Sequence, residues 1–290
     1  FIYHSTEFFY FGVVFLFAII SISFVLNIIL FLYLCSITTI KMLSKNKIKF
    51  IRSLELKKNR QQERLFVAEG PKVVADLLTK VKAHMIFSTP SRIKEFSSKQ
   101  AENIIEITDS ELAKISFLQH PQQVLAVFPF LPSTEATPQN ELILALDGVQ
   151  DPGNLGTIIR IADWFGIKNI MCSEDTVDVY NPKVIQASMG SVAQVSVNYC
   201  NLKSFIKNIS PEVPVYGTCL DGENIYNQKL SSKGIIVMGN EGKGVSTAIK
   251  QLFTHKLLIP NYHPQSAIDS LNVAIATAIT CAEFKRQDLV

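Results

Sequence analysis

The sequence predicts an α/β fold in which parallel strands alternate with helices. Two observations support this prediction. Short apolar runs such as Leu142–Leu146, which are typical of strands buried on both faces, recur along the 290 residues. Segments with a helical spacing of apolar residues, such as Thr157–Phe165, lie between them. This alternation favours a parallel sheet covered by helices.

A segment rich in Pro, Ser and Thr, residues 130–140, indicates a linker between two such regions. We expect a smaller domain over residues 42–129 and a larger one over residues 141–290. In the smaller domain, strands and helices are predicted, in chain order, at Leu65–Ala68, Lys72–Thr79 (helix), His84–Ser88, Arg92–Ser98 (helix), Ile104–Ile107 and Val124–Phe128. The later elements of the larger domain are predicted strands at Asn169–Cys172, Gln194–Val197, Val215–Thr218, Gly234–Met238 and Lys256–Ile259, and a helix at Leu271–Arg286.

The first 41 residues form a hydrophobic segment that differs in composition from the rest of the chain. No charged residue occurs between Phe8 and Ile40, and about 20 apolar residues suffice to span a bilayer. One alternative is therefore a membrane helix over residues 8–34 that would anchor the protein. We prefer the alternative that residues 1–41 are an upstream in-frame extension, because the first methionine is Met42 and a polar sequence follows it. The working protein would then be cytoplasmic.

Charge is distributed unevenly beyond Met42. Residues 42–130 carry a net charge of +6, whereas residues 141–290 carry −2. A one-sided basic face is typical of a nucleic-acid-binding surface, although a solvated helix face has the same pattern. The candidate RNA-binding residues are Lys45, Lys47, Lys49, Arg52, Lys57, Lys58, Arg60 and Arg64.

The five cysteines are an odd number and form no CxxC pair or Cys/His cluster, which predicts a reducing compartment, no disulfide framework and no metal site. A composition of 48% hydrophobic and 18% charged residues excludes an intrinsically disordered chain.

Three loops that follow predicted strands contain residues that a plain turn does not require. Ligands of open α/β sheets bind at the carboxyl ends of the strands, so these loops are candidate sites. The first runs from Asp147 to Arg160. In it Asn154 suits a helix N-cap, and Arg160, among apolar residues, is either functional, a surface residue or the partner of Asp163 in an ion pair.

The second loop, residues 239–245, has three glycines, which allow a backbone to approach a ligand closely. Glu241 within it is either a site residue or a cap of the next helix. The third follows Ile259 and ends in Ser270, a suitable N-cap, and Asn272, which lies inside the predicted last helix. A polar residue there is costly unless it is hydrogen-bonded.

Together, and in this order, the three loops resemble the signature motifs of the SpoU (TrmH-type) class of the SPOUT superfamily, which are S-adenosylmethionine-dependent RNA 2′-O-ribose methyltransferases. The stretch Leu65–Gly70 resembles the substrate-binding extension of that family, an RNA-binding α/β domain like ribosomal protein L30e. The resemblance implies a C-terminal α/β trefoil-knot domain that binds S-adenosylmethionine, preceded by the smaller L30e-like domain. It also implies a homodimer with the active site near the subunit interface and no need for a metal.

The resemblance implies roles for single residues. Arg160 corresponds to the catalytic arginine, which we expect to position an RNA phosphate and stabilise the developing alkoxide, because a guanidinium is a poor base. The other polar site positions are Asn154, Glu241, Ser270 and Asn272. The implied cofactor contacts are Gly217, Thr218, Gly239, Asn240, Gly242, Ile259, Leu271 and Val273.

The two-domain layout favours ribosomal RNA as the substrate. The alternatives are a tRNA 2′-O-methyltransferase and a non-catalytic RNA-binding or ribosome-assembly factor of the same fold. One departure bears on this choice: the loop Asn261–Asp269 is longer than is usual in the family and lacks glycine. It also contains His263, which is either an acid/base group or a plain loop residue.

Overall fold

The computed structural model describes residues 43–263 and 270–288. The prediction of a hydrophobic helix or extension in residues 1–41 lies outside the described residues, as do positions 264–269 of the long loop. The chain divides into two compact units, residues 1–44 and 45–290, and only Leu43 and Ser44 of the first are described. Among the helices that are described, none has both the length and the apolar character that a membrane span requires.

The first sheet has four strands in the order β1–β4–β2–β3. Their bounds are β1 (Leu65–Glu69), β2 (Ala83–Ser88), β3 (Ala101–Glu106) and β4 (Val124–Pro129). β2 and β3 are parallel, but β4 is antiparallel to both of its neighbours. The prediction of a parallel sheet is therefore wrong for this region. After β3 the chain re-enters the sheet at the edge where it left, because the backbone N–H of Thr89, just after β2, donates to the carbonyl of Gln123, just before β4, at 2.9 Å. A strand that starts at this edge runs antiparallel to β2.

Four helices accompany this sheet: α1 (Lys45–Ser53), α2 (Lys57–Glu63), α3 (Pro71–Leu78) and α4 (Asp109–Ile115). The helix predicted at Arg92–Ser98 is reduced to one 3₁₀ turn, Ile93–Glu95. The chain becomes extended at Phe96, and the side chain of Gln100 accepts hydrogen bonds from the backbone and hydroxyl of Ser97. Such local side-chain bonds compete with a helix.

The second sheet has six strands in the order β10–β8–β9–β5–β6–β7, and every neighbouring pair is parallel, which confirms the prediction for this region. The strands are β5 (Leu142–Asp147), β6 (Asn169–Cys172), β7 (Ser196–Tyr199), β8 (Val215–Asn224), β9 (Gly234–Gly239) and β10 (His255–Leu258). β7 begins two residues later than predicted because Ser191–Ala193 forms a 3₁₀ turn that ends at Gln194.

The helices of this region are α5 (Pro152–Trp164), α6 (Pro182–Ser188), α7 (Leu202–Lys207), α8 (Thr247–Lys250) and α9 (Val273–Asp288). α5 begins five residues before the predicted start, because Asp151 caps it by accepting a hydrogen bond from the backbone of Asn154 at 2.8 Å. Asn154 is thus inside the first turn and is not the N-cap.

The last helix, α9, begins at Val273 rather than at Leu271. The side chain of Asn272 accepts hydrogen bonds from the backbone N–H groups of Ala274 and Ile275, at 2.9 and 3.3 Å. Asn272, not Ser270, is therefore the capping residue, and it precedes the helix that was predicted to contain it.

The two sheets share one continuous hydrophobic core. The ring of Tyr180 lies between Phe66 and Phe130, with centroids 4.7 and 4.1 Å away. The Tyr180 hydroxyl also accepts a hydrogen bond from the backbone of Leu131 at 2.9 Å. Residues 130 and 131, at the start of the predicted linker, are therefore packed against the second region.

A buried ion pair makes a second connection between the two regions. Arg60 is 1% exposed, and its guanidinium donates to Asp178 at 2.5 and 3.0 Å. It also donates to the carbonyls of Leu54 and Glu55 at 2.9 and 2.6 Å. Arg60 is buried and its guanidinium is hydrogen-bonded within the protein, so its assignment as an RNA-binding residue is wrong.

Candidate active site

The loops after β5 and β9 lie side by side because these two parallel strands are neighbours, with Asp147 opposite Gly239. The Asn240 amide donates to the carbonyl of Gly148 at 2.7 Å. The Asp147 carboxylate accepts from the backbone of Ser246 at 2.7 Å. The first two predicted motifs are thus hydrogen-bonded to each other.

A chain of side-chain hydrogen bonds joins all three motifs. The amide nitrogen of Asn272 donates to the amide oxygen of Asn154 at 2.9 Å. The amide nitrogen of Asn154 donates to Glu241 Oε1 at 3.0 Å. Three residues that are 87 and 118 positions apart along the chain therefore form one polar row.

Glu241 is the acceptor at the end of this row. Its carboxylate also accepts from the backbone N–H groups of Gln150 and Asp151 at 3.4 and 3.3 Å. Partial burial acts to raise the pKa of Glu241, but the hydrogen bonds from Asn154 and the backbone outweigh it and hold the pKa below its ordinary value. The alternative that Glu241 caps the next helix is wrong, because α8 begins only at Thr247.

A cavity of about 420 Å³ opens beside this row, at the carboxyl ends of β8, β9 and β10. Its volume is within the range of small-molecule sites. Of the predicted site residues, those that line the cavity are Thr218, Gly239, Asn240, Glu241, Gly242, Ile259, Ser270, Leu271 and Val273.

Gly217 is the predicted cofactor residue that does not line the cavity. A Cβ atom at this position would lie 1.8 Å from the ring of Phe253. Packing against Phe253 explains the glycine, so its assignment as a cofactor contact is not supported by the geometry. At Gly239, in contrast, a Cβ would lie 2.3 Å from the backbone of Gly244, because the loop folds back on itself beside the cavity.

Arg160 is separate from the cavity. It lies on α5, is exposed, and its side chain makes no hydrogen bond or ion pair with the described part of its own chain. The alternative ion pair with Asp163 is not formed. Trp164, four residues later on the same helical face, is 84% exposed, which is unusual for so large an apolar side chain.

Seven of the eight predicted RNA-binding residues lie on the surface, Arg60 being the exception. Arg52 and Arg64 also contact aromatic rings. The guanidinium of Arg52 lies 4.7 Å from the centroid of the Phe117 ring, and that of Arg64 lies 4.9 Å from the centroid of Phe130. Both arginines keep part of their charge available to a ligand while covering an aromatic ring.

Comparison with known proteins identifies the family. Residues 141–282 match the model of the SpoU rRNA Methylase family, and residues 45–126 match the MRM3-like substrate binding domain. A relative from Bacillus subtilis (strain 168), named 23S rRNA (guanosine(2553)-2′-O)-methyltransferase RlmP, is 31% identical over 245 residues, which is 80% of this chain and 93% of the relative. The chain belongs to the SpoU rRNA methylase family.

Solved structures of SpoU-type proteins have the same fold. A TrmH-family protein from Porphyromonas gingivalis is 39% identical and superposes with a TM-score of 0.76, covering 85% of this chain and 99% of the other. An AdoMet-bound rRNA methyltransferase from Sinorhizobium meliloti is 32% identical, with a TM-score of 0.76 and coverage of 84% and 95%. The match extends over both sheets, so the smaller region before the methylase region belongs to the shared architecture.

The cavity of this SpoU chain fits S-adenosylmethionine in its chemistry. Apolar side chains, among them Ile259 and Leu271, provide surfaces for an adenine ring. The folded-back glycine loop provides backbone groups that can hydrogen-bond the polar parts of the cofactor. No cluster of three or more metal-ligating side chains occurs in residues 43–263 and 270–288.

Several cavity residues were not predicted from the sequence. They follow the predicted end of β8, which continues to Asn224 instead of ending at Thr218. Cys219 and Leu220 lie in this continuation, and Asp221 there pairs with Lys256 at 2.6 Å. The sequence signal that could have found them is Leu220, an apolar residue that extends the strand pattern. In the structure its side chain is 72% exposed beside the cavity.

Proposed function

We propose that the chain transfers a methyl group from S-adenosylmethionine to the 2′-hydroxyl of a ribose in ribosomal RNA. The observation that carries the proposal is the polar row Asn272–Asn154–Glu241 beside the strand-end cavity. The names of relatives that match most of the chain give the reaction: the B. subtilis relative is named for 2′-O-methylation of guanosine in 23S rRNA. A mouse relative, 26% identical over 290 residues, is named rRNA methyltransferase 3, mitochondrial.

In this proposal the residues that line the cavity hold the cofactor: Thr218, Gly239, Asn240, Gly242, Ile259, Leu271 and Val273. When bound, S-adenosylmethionine supplies an electrophilic methyl group on a sulfonium sulfur. Ser270 lies at the same cavity and contributes a hydroxyl. Holding the ribose oxygen in line with that methyl group is the main task of the protein, because fixed orientation alone accounts for a large part of such rate enhancements.

The polar row holds the three loops in fixed positions relative to one another, which that alignment requires. Asn154 is the central member, since its amide both donates to Glu241 and accepts from Asn272. Glu241 fixes the loop after β5 by accepting from its backbone. The exposed, always charged Arg160 binds an RNA phosphate and stabilises the negative charge that develops on the attacking oxygen.

We further propose that a second copy of the chain completes the site. Arg160 lies outside the cavity of its own chain, on α5, which packs against α9. These two helices carry the exposed apolar residues Trp164 and Ile275. Burial of these residues in a homodimer would bring Arg160 of one copy towards the cavity of the other. The resemblance implies that the C-terminal segment forms a trefoil knot, and the cysteine spacing supports a cytoplasmic location; we include both in the proposal.

The function is tested by incubating the purified protein with labelled S-adenosylmethionine and either rRNA or tRNA, followed by mass spectrometry of the nucleosides. We expect a 2′-O-methyl group in rRNA, and a loss of at least about 100-fold in kcat for Arg160→Ala. Lys168→Ala, which removes another exposed charge of the same region, is the control. Methylation of tRNA alone, or cofactor binding in calorimetry without transfer to either RNA, would contradict the proposal.

The dimer has its own test. Trp164→Glu places a charge in the apolar surface and should convert a dimer into a monomer in light scattering, with loss of methyl transfer. Asp163→Ala, at the neighbouring position, is the control. A chain that is monomeric before substitution and fully active would refute the shared site.

A further inference from the structure

A second cleft lies between the two regions of the molecule, next to the proposed methyl-transfer site. It has a volume of about 440 Å³. One wall comes from the smaller region and includes Phe117 and Leu118, and the other comes from the methylase region and includes Pro152 and Pro182. Binding sites for small ligands are frequent at such domain interfaces.

The cleft is close to the polar row in the chain as well as in space. Pro152, which lines it, is the first residue of α5, and Asn154 is in the same first turn. A group held in the cleft would therefore lie within a few residues of the atoms that position the ribose. The separate cavity of the cofactor shares none of the lining residues of this cleft.

The two walls are held in a fixed relation by the buried ion pair. Arg60 donates to the carbonyl of Glu55, a cleft residue of the smaller region, and to the carboxylate of Asp178. Asn181, three residues after Asp178, belongs to the opposite wall of the cleft. Its side chain caps α6 by accepting a hydrogen bond from the backbone N–H of Lys183. The cleft is thus built into the folded protein and does not depend on a ligand to form.

The Phe117 ring is also fixed in place. Its backbone N–H donates to the Glu69 carboxylate at 2.7 Å, and the hydroxyl of the preceding Ser116 donates to the same carboxylate. Arg52 stacks on the ring and donates to the carbonyl of Ser116 at 2.6 Å. The buried Glu69 therefore has a positioning role: it holds an aromatic ring at the wall of the cleft.

The lining combines apolar walls with a polar rim. Phe117, Leu118 and the two prolines provide flat apolar surfaces, whereas Glu55, Gln186 and the exposed Lys183 provide polar groups. Lys183 forms no ion pair with any described residue. A nucleobase has this same combination, with apolar faces and a polar edge, and the ribose that carries it is linked to phosphates. Sequence-specific recognition of RNA commonly stacks unpaired bases on aromatic rings.

We propose that this cleft receives an unstacked nucleobase of the substrate RNA, at or next to the nucleotide that is methylated. The face of the Phe117 ring opposite Arg52 is the stacking surface, the rim residues contact the edge of the base, and Lys183 contacts a neighbouring phosphate. The proposal rests on the proposed function and adds a substrate-selecting site to it, formed jointly by both regions of the chain.

The first experiment measures methyl-transfer kinetics on the rRNA substrate for Phe117→Ala, Phe117→Trp and the parent. Removal of a stacking surface costs about 1–3 kcal/mol per base, which corresponds to a rise in KM for RNA of roughly 5- to 150-fold. Phe117→Trp should restore most of the loss, because it keeps a stacking surface. The affinity for S-adenosylmethionine in calorimetry should be the same for all three proteins. An unchanged KM for a folded Phe117→Ala protein would overturn the proposal.

The second experiment removes charge at the rim. Lys183→Ala should raise KM for RNA and reduce its salt dependence, and Lys183→Arg should restore both, because binding to phosphate releases counterions. Lys168→Ala is the matched control for loss of an exposed lysine. Equal effects of Lys183→Ala and Lys168→Ala would refute a specific contact at the cleft.

A third experiment covers the case in which the Phe117 variants do not fold. RNA that carries 4-thiouridine or 6-thioguanosine is photocrosslinked to the unaltered protein, and the crosslinked peptides are identified by mass spectrometry. Crosslinks to Phe117, Leu118 or Lys183 support the proposal, and crosslinks confined to other surfaces overturn it. Failure of the proposed function would appear separately, as an absence of methyl transfer by the parent protein.

Discussion

Replacement of Arg60 by methionine should destabilise the whole unit of residues 45–290. Methionine keeps much of the side-chain volume but leaves the Asp178 carboxylate without its partner. Removal of one member of a buried ion pair costs about 3–5 kcal/mol. The Asp178 side chain is 14% exposed and retains some contact with water, so we expect the lower end, about 3 kcal/mol. At roughly 2–4 °C per kcal/mol, Tm should fall by about 6–12 °C.

The assay is thermal unfolding followed by circular dichroism, with Lys58→Met as the control. Lys58 lies on the same helix as Arg60 and is exposed, so its loss should change Tm by no more than about 2 °C. The double variant Arg60→Met, Asp178→Leu should recover part of the loss, because no unpaired carboxylate remains. RNA affinity gives a second contrast, since Lys58→Met should weaken RNA binding even though it leaves Tm unchanged.

The reasoning would be refuted by an Arg60→Met protein that unfolds within about 2 °C of the parent. It would also be refuted if Asp178→Leu lowered the Tm of the Arg60→Met protein as much as it lowers the Tm of the parent. Either result would mean that the ion pair does not couple the two regions.

Three further outcomes are expected. Gly217→Ala should lower the free energy of unfolding by about 1–3 kcal/mol, because its Cβ would clash with the ring of Phe253. Gly242→Ala should cost less, because its Cβ would have no neighbour closer than 3.7 Å. Equal losses of the two variants in thermal unfolding would contradict this. Partial burial and the neighbouring Asp221 raise the pKa of Cys219 to about 11, so peptide mapping should show slow alkylation at neutral pH and further protection by S-adenosylmethionine; fast alkylation would be inconsistent with this raised pKa. Because the folded-state pKa of Glu241 is lowered, its ionised form stabilises the fold above pH 4.5. The difference in free energy of unfolding between the parent and Glu241→Gln, measured in urea, should therefore shrink as the pH falls below 4.5. A difference that does not change with pH would argue against this.

The parallel sheet and its loops could be predicted because local sequence determines them. β5 and β9 are continuous apolar runs, and a residue buried on both faces of a sheet has few alternatives. The motifs at their ends were recognisable for the same reason, since glycines and polar residues directly after a buried strand have no structural cause in the strand itself.

Other features depend on contacts that the local sequence does not contain. Arg60 looks like one more member of a basic run, and only Asp178, 118 residues later, makes its burial favourable. The direction of β4 depends on where the chain re-enters the sheet, at Gln123 beside the end of β2, and the start of α5 depends on Asp151, whose side chain accepts from the backbone of Asn154. The location of Arg160 outside the cavity could not be inferred from spacing, because it depends on how α5 packs.

The polar row has a consequence for the time at which the enzyme becomes competent during synthesis. Its members Asn154, Glu241 and Asn272 leave the ribosome in that order, and contacts between distant residues form late in folding. The strands of both sheets precede Asn272 in the chain, so a growing chain can build its scaffold before the row is complete. The last helix therefore acts as the final assembly step, and the newly made protein should remain inactive towards the ribosomal RNA around it until that helix has docked.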